Sequence, residues 1–483
     1  MEKYVLVFDC GATNVRVIAM TPSGRVKASQ SYPNRTVEDP LHPGGKIWPL
    51  EEIWSKLCKA SKAVTSRIDV AAIVGVSTTT FGVDGTFVDN MGKPLYPVIS
   101  WQCERTAPIM KGIDRYIPME ELYRKSGVYP YNFNTINKLA WFKENHPQVF
   151  ANGARFLFMP SLLVNLLTGQ QVNDSTMLGT SMVADINTRQ VSGEILDCLG
   201  ITPEIFLPCE HPGHIAGKVT AEASKATGIP TGVPVCLSGH DTQFAVFGSG
   251  AVPGELVLSS GTWEVLMCRS QRYTTSQEQL DLGITTEFDA EGGYYNIGLN
   301  YIGSGLLEWV RKLFYADTDE NIRYETMIRE AQNVPVGSNG IRINPGFYDP
   351  SAEGSGGRIS GLRLHSTRGE VYRACLEALS LKLRTSLQAL ETAGHFKASK
   401  IICVGGGSRN YLWNQVKADV CGIPVQLIQQ KETTVLGSAL FTFTGVGYFP
   451  TLEEARANIP YEPGLIHPSQ QAADYKNLLT NNI

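Results

Sequence analysis

The sequence predicts an α/β chain made of two related halves, and three observations carry that expectation. Short apolar, β-prone runs alternate with longer segments of helical spacing. A Gly/Pro-rich stretch, Gly248-Ser249-Gly250-Ala251-Val252-Pro253-Gly254, marks a boundary near the middle of the 483 residues. Beyond it the opening pattern restarts: an apolar strand, a glycine turn rich in hydroxyls, and a second strand. The expected domains are residues 1–247 and 248–483.

In chain order, Tyr4 to Phe8 and Val15 to Met20 read as strands, and Thr21-Pro22-Ser23-Gly24 as a turn before another. A helix is expected over Leu50 to Thr65, where Ile53, Trp54, Leu57, Cys58 and Val64 share one face. Val70 to Val76 is a nearly continuous apolar run, the pattern of a strand buried on both sides. In the second half Leu256-Val257-Leu258 and Val265-Leu266-Met267 repeat the opening strands. Asn344 to Gly357, rich in Gly, Pro and Ser, is expected to be a surface loop. A long helix (Glu370 to Thr392), a strand (Ile401 to Val404), a helix (Tyr411 to Val420), a strand (Val425 to Ile428) and a helix (Thr433 to Thr444) follow.

Composition narrows the function classes. Hydrophobic residues make up 43% and charged residues 18%, enough apolar material for large cores and too little charge for a disordered chain. The net charge of −4 comes without a basic cluster, which speaks against a nucleic-acid partner. No segment approaches the ~18 uninterrupted apolar residues of a membrane span, and Asp9 ends an N-terminal run too short for a secretory signal. Ten scattered cysteines form no framework, so reduced thiols and a cytoplasmic location are expected. No coiled coil is visible; a homodimer is compatible with the sequence and not specified by it.

Three glycine turns and one aspartate carry the chemistry. Phe8-Asp9-Cys10-Gly11-Ala12-Thr13-Asn14-Val15-Arg16 ends a buried strand in a tight turn, where free N–H groups with Thr13, Asn14 and Arg16 suit phosphate oxygens. Asp9 suits a magnesium ion beside those phosphates. A plain hairpin with Asp9 capping local N–H groups fits the same residues. Ser259-Ser260-Gly261-Thr262 is a second hydroxyl-rich turn, equally readable as an ordinary one. Val404-Gly405-Gly406-Gly407-Ser408-Arg409-Asn410 allows close approach of a ligand to backbone before a helix N-terminus, and it has neither dinucleotide-fold nor P-loop spacing. Together these turns point to a nucleotide held between the halves. Asp241, in Gly239-His240-Asp241-Thr242-Gln243, stands where a strand ends and a helix begins, as a general base or as a helix N-cap. His211 and His214 lack a third metal ligand, and Cys103 lacks a partner base.

These motifs together resemble the FGGY carbohydrate kinases. Phe133-x-Thr135-x-x-Lys138-Leu139-x-Trp141-Phe142-x-Glu144-Asn145 is similar to the family's first signature. Gly357-x-Ile359-x-Gly361-Leu362 with Glu370-Val371-x-x-Ala374-Cys375-Leu376-Glu377 is similar to the second, with Cys375 a departure expected to affect helix packing rather than chemistry. The resemblance implies a two-domain actin-like ATPase (ribonuclease H-like) fold with its active site in the interdomain cleft. It implies ATP-dependent phosphorylation of a small-molecule ketose at its 1-hydroxyl, L-fuculose being the expected ketose and L-rhamnulose or D-ribulose the rivals. A sugar sensor on the same fold is the alternative of another class, and no DNA-binding module accompanies these motifs. The family pattern implies Asp241 as base, Gly11, Ala12, Thr13, Asn14, Arg16 and Thr262 at the ATP phosphates, and Gly406, Gly407 and Asn410 near the adenosine. It further implies Gly82, Asp84, His240, Thr242 and Asn300 at the sugar and Asp9 at magnesium. Rival ketoses would be distinguished around Gly82, Asp84, Trp101 and Asn300. Phe81 and Gly82 replace the Arg-Glu pair of glycerol kinases, against glycerol as substrate.

Overall fold

The computed structural model describes residues 2–150, 153–206, 208–346, 356–428, 432–461 and 463–480. Two sheets organise it. The first is built on β1 (Tyr4–Cys10), β2 (Asn14–Met20) and β3 (Val26–Pro33), with α1 (Leu50–Thr65) leading to β4 (Ile73–Thr80). After α2 (Thr135–Asn145) and α3 (Met159–Thr168) come β5 (Ile215–Lys218), β6 (Pro234–Cys236) and α4 (Asp241–Gly248). The strand order is β5-β6-β4-β1-β2-β3. β1, β4 and β6 run parallel, and β2 and β3 return antiparallel.

The second half begins with β7 (Leu256–Ser260) and β8 (Trp263–Ser270), then β9 (Thr285–Phe288) and β10 (Tyr295–Ile302). α5 (Ser304–Phe314), α6 (Arg368–Gly394), β11 (Ile401–Val404), α7 (Tyr411–Cys421), β12 (Val425–Ile428), α8 (Thr433–Gly445) and β13 (Pro463–Ile466) complete it. Its order, β9-β10-β8-β7-β11-β12-β13, again joins an antiparallel hairpin to parallel crossovers. The restart seen in the sequence is therefore a repeat of topology.

Alternation along β1 shows how the first sheet is buried on both faces. Leu6, Phe8 and Cys10 enter a core with α1 and α3, while Val5 and Val7 enter another with Ile18 and Met20. That second core is closed by Phe244 and Phe247 of α4 and by Val435, Leu436, Ala439, Leu440 and Phe443 of α8. A helix late in the chain thus covers the first sheet. Where it crosses β4, Ser438 Oγ lies 2.9 Å from Ser77 Oγ and accepts from Ser238 Oγ at 2.8 Å, so the buried hydroxyls satisfy one another.

Two expected boundaries move. The run at Val70 does not start a strand: Val70–Ala72 is a 3₁₀ turn whose N-cap, Asp69, accepts from Ala71 N, and β4 begins at Ile73 and continues to Thr80. α6 starts at Arg368, where Thr367 and Glu370 form a reciprocal capping box. Cys375 is buried in the packing between α6 and α7. The expected loop at Asn344 to Gly357 falls largely on 347–355, outside the described residues. All ten cysteines are unpaired, and no described helix is long and apolar enough to cross a membrane.

α4 and α8 cross so closely that glycine is required at the contact. A Cβ on Gly437 would lie 2.1 Å from the Phe244 carbonyl oxygen, and one on Gly248 2.0 Å from that of Thr433. Gly437→Ala is expected to destabilise by about 1–3 kcal/mol through overpacking, against the roughly 1 kcal/mol that alanine adds in an open helix. Denaturant unfolding checks it, and a rise in midpoint would refute the tight crossing.

Candidate active site

The parallel strands of the first sheet end at one level, and their ends carry the polar groups. Phe81 N donates to Cys10 O at 3.4 Å and Thr80 N to Gly239 O at 3.0 Å, which sets three chain segments side by side. This is the crevice at the carboxyl ends of parallel strands where α/β proteins take ligands.

The β1–β2 turn is braced from below. Gly11 N–H donates to Asn14 O at 2.9 Å, while Asn34 donates from its Nδ2 to Gly11 O at 2.8 Å and from its backbone to Thr13 O at 2.7 Å. Register places Asp9 opposite Arg16, whose Nε donates to Asp9 Oδ2 at 2.6 Å and whose Nη1 reaches Glu432 at 2.8 Å. These groups line a cleft of about 470 Å³ with Gly11, Thr13 and Asn14. Burial pushes the Asp9 carboxyl up to about 6, with Arg16 opposing and the charges of Asp241 and Glu432 adding to it.

The matching turn of the second half, Gly261-Thr262, leaves Thr262 exposed at its tip. Gly303 N donates to Thr262 O at 2.9 Å and Ser304 N to Gly261 O at 2.8 Å, which fixes it on the start of α5. Beneath it, Lys417 pairs with buried Glu264 at 3.1 Å and lies 3.6 Å from the centre of the Trp413 ring. In the glycine run each residue has a different task. Gly405 has φ 83° and a Cβ there would sit 2.7 Å from Ser260 O; one on Gly407 would sit 1.9 Å from Ser260 Oγ. Gly406 faces open space. Asn410 caps α7 by accepting from Trp413 N at 3.1 Å, and its Nδ2 donates to Tyr372 OH at 2.9 Å.

A second cavity, about 310 Å³, lies between the halves. Gly82, His240, Asp241 and Thr242 enter it from the first half and Asn300 from β10. Ala12 lines this cavity and not the cleft beside Arg16, so it stands where the two spaces meet. Asp241 is the first residue of α4, not its cap; His240 holds the cap position without a side-chain cap bond. Asp241 Oδ1 accepts from Thr242 N at 2.7 Å. Burial raises the Asp241 carboxyl above its ordinary value, and His240 pulls it back.

Asp84 lies apart from the cavity its neighbours line. Its side chain is fully buried, one oxygen paired with Lys138 and the other accepting from Trp48 Nε1 at 2.6 Å and Trp101 N at 3.0 Å. Every bond of that carboxylate goes to scaffold: it seats the Trp101 backbone, and its partner Lys138 donates to the carbonyl of Val83 at 3.1 Å, a residue that sits at φ 61°. Several cavity residues went unread in the sequence. Tyr131 and Phe133 stack with ring centres 4.9 Å apart, and Phe133 meets Trp101 edge-on at 6.2 Å, forming an aromatic wall. Glu287 and Thr180 stand behind His240. Glu287 alone left a trace, an acid inside the β-prone run Thr285-Thr286-Glu287-Phe288. His211 and His214 gather no metal set; among the described residues no three His, Cys, Asp or Glu side chains cluster for one. Cys103 is buried, accepting from Lys46 N and Arg105 Nε.

Two glycine–hydroxyl turns presented by two like-folded halves, with a carboxylate at the cleft floor, define a two-domain sugar kinase. The chain belongs to the FGGY family of carbohydrate kinases: residues 4–248 match the family's N-terminal domain and 256–445 its C-terminal domain. Over 471 residues it is 43% identical to an L-fuculokinase of Escherichia coli K12, covering 97% of this chain and 98% of that protein. It is 28% identical to a rhamnulokinase of Bacteroides thetaiotaomicron, covering 98% and 97%. The fold matches a xylulose kinase of Rhodospirillum rubrum with a TM-score of 0.89 at 23% identity, covering 99% of this chain and 97% of that one.

The placement of Asp84 carries its own test. Removing one partner of a buried ion pair leaves an uncompensated charge at a cost of about 3–5 kcal/mol. Asp84→Ala is therefore expected to lose stability on that scale in denaturant melts. Unchanged stability with weakened sugar binding would instead make Asp84 a ligand contact.

Proposed function

We propose that this chain transfers the γ-phosphoryl group of ATP to the 1-hydroxyl of L-fuculose, giving L-fuculose 1-phosphate and ADP. The observation that carries the reading is the end-to-end likeness to L-fuculokinases at 40–43% identity, well above the 28% and 24% to rhamnulokinases. The cavity suits it: polar groups on one side and an aromatic and aliphatic wall (Trp101, Phe133, Val265, Met267) on the other fit a sugar with hydroxyls and an apolar terminus.

In this reading the 310 Å³ cavity takes the ketose, with Gly82, His240, Thr242 and Asn300 around it. Asp241 accepts the proton of the 1-hydroxyl; that oxygen bonds to the γ-phosphorus while the bond to the β,γ-bridging oxygen breaks and ADP leaves. Gly11 to Arg16 and Thr262 hold the phosphates from opposite halves, and open Gly406, tightly packed Gly407 and the capping residue Asn410 form the adenosine floor. Asp84 acts through Trp101 and Val83 rather than on the sugar. Asp9 presents a carboxylate to the cleft, 10% exposed and balanced by Arg16. A single hard oxygen donor of this kind fits a magnesium ion that arrives on the nucleotide and not one caged by protein. When bound, such an ion neutralises phosphate charge. Closure of the halves then excludes water from the phosphoryl group.

ADP release across a ketose panel tests the substrate. L-Fuculose is expected to give the highest kcat/KM, with D-ribulose measurable because an apolar pocket rejects a missing methyl only weakly; a preference for L-rhamnulose, xylulose or glycerol overturns the assignment. Asp241→Asn is expected to lower kcat by about 10² to 10⁴ with little change in melting temperature, since the amide keeps one acceptor oxygen for Thr242 N. Turnover within a few-fold of the parent enzyme would refute the base.

A further inference from the structure

Glu287 is the buried acid at the back of the ketose cavity. It lies on β9, the edge strand of the second sheet, and its side chain is 9% exposed. Its Oε1 accepts from Thr180 Oγ1 at 3.2 Å, and its Oε2 accepts from Gln243 Nε2 at 2.6 Å and lies 3.5 Å from His240 Nδ1. On the other edge of the ring, His240 Nε2 lies 3.5 Å from Asp241 Oδ1. The imidazole thus stands between two carboxylates. Gly82 makes room for it, since a Cβ there would be 2.8 Å from Nε2.

We propose that Glu287 is a positioning residue for phosphoryl transfer: it fixes His240 so that the far ring nitrogen faces Asp241 and holds that carboxylate in its aimed position. The proposal rests on Asp241 being the base. With Oδ1 taken by Thr242 N–H and the imidazole, Asp241 Oδ2 makes no hydrogen bond among the described residues and is left for the sugar hydroxyl. Which ring nitrogen of a histidine carries a proton is set by the bond at the other. Gln243 Nε2 also lies 3.5 Å from Nδ1, but that amide donates to Glu287 Oε2 at 2.6 Å; with a carboxylate beside each nitrogen the ring is a double donor. Distances of 3.5 Å are long for such bonds, as they commonly are before substrate draws a site together.

The surrounding charges agree. The acids facing His240 are Glu287 from β9, Asp241 from α4 and Asp174 from the segment before Thr176, whose hydroxyl accepts from His240 N at 2.9 Å. Those facing Asp241 are His240, Glu287 and, across the cleft, Asp9. Burial alone would strip the proton from His240 and place one on Asp241; the acids around the ring reverse the first, and the protonated ring opposes the second. β9 is clamped to the first half, with Thr286 N donating to Gly127 O at 2.7 Å and Tyr123 OH to Ile284 O at 2.8 Å. The second half therefore completes a base carried by the first.

The test is the pH profile of kcat/KM for the ketose at saturating ATP in the parent enzyme, Glu287→Gln and Glu287→Asp, with melting temperatures beside it. In Glu287→Gln the ring loses the carboxylate charge beside Nδ1 and gives up its proton at lower pH, so the alkaline limb moves down. On the acid side the ring still carries its proton, so Asp241 keeps its cationic neighbour and loses only the direct repulsion of Glu287; the acid limb is expected to stay or move slightly down. The alkaline limb is the readout and is expected to shift by about 1 unit, the lower end of what a charge within ~4–6 Å produces. Glu287→Asp keeps the charge but withdraws it by one methylene, and its alkaline limb should lie between. A folded Glu287→Gln variant with its alkaline limb at the parent position overturns the proposal, whatever its melting temperature. If Glu287→Gln does not fold, Glu287→Asp decides: a narrowed profile supports the proposal and an unmoved one overturns it. Near-normal turnover in Asp241→Asn refutes the base itself, whereas an inactive Asp241→Asn beside an unmoved Glu287→Gln profile refutes Glu287 alone.

Discussion

The site depends on three parallel strands ending at the same height. Because β1, β4 and the segment after β6 are held in register, Asp9, Gly82 and Asp241 arrive at one crevice without any loop having to reach for them. Backbone hydrogen bonds at 3.0–3.4 Å lock the strand ends just where the polar side chains begin. The second sheet repeats the device, ending β7 and β11 so tightly that Gly405 abuts the backbone of Ser260 and Gly407 its side chain. Placement of functional groups is thus a by-product of sheet register, which burial on both faces specifies strongly.

A polar cleft of this kind must carry charges that the scaffold neutralises out of sight. Lys138 answers Asp84, Lys417 answers Glu264 and Arg105 answers Asp39, each pair almost wholly buried. The first family-like sequence signature is in large part a scaffold signature: its Lys138 pairs with Asp84, and its Thr135 hydroxyl donates to Val83 O at 2.9 Å. A motif that identifies a kinase can do so through residues that never meet the substrate.

Much of this was legible in the sequence for identifiable reasons. The opening strands, α1 and the closing β–α alternation follow from apolar period and glycine punctuation, which are local. The turns at Gly11, Gly261 and Gly405 announce themselves as glycine beside hydroxyls after an apolar strand, and at Gly405 the positive φ makes glycine a requirement. Thr180 and the Tyr131–Phe133 wall were not legible and Glu287 only faintly so: Thr180 meets Glu287 across 107 residues, and the wall has meaning only through the cavity it faces. Asp84, implied at the sugar by the family resemblance, has its carboxylate bonded to Lys138, Trp48 and Trp101, a burial that the run Gly82-Val83-Asp84 does not reveal.

The late arrival of α8 on the first sheet bears on how the chain is made. As translation passes residue 248, all strands of the first sheet exist, yet the face formed by Val5, Val7, Ile18 and Met20 has only Phe244 and Phe247 of α4 to cover it. It stays half-covered for almost two hundred further residues, until the segment ending at Gly445 leaves the ribosome. The two halves therefore cannot mature one after the other; the first must wait, partly open, for the second to finish it.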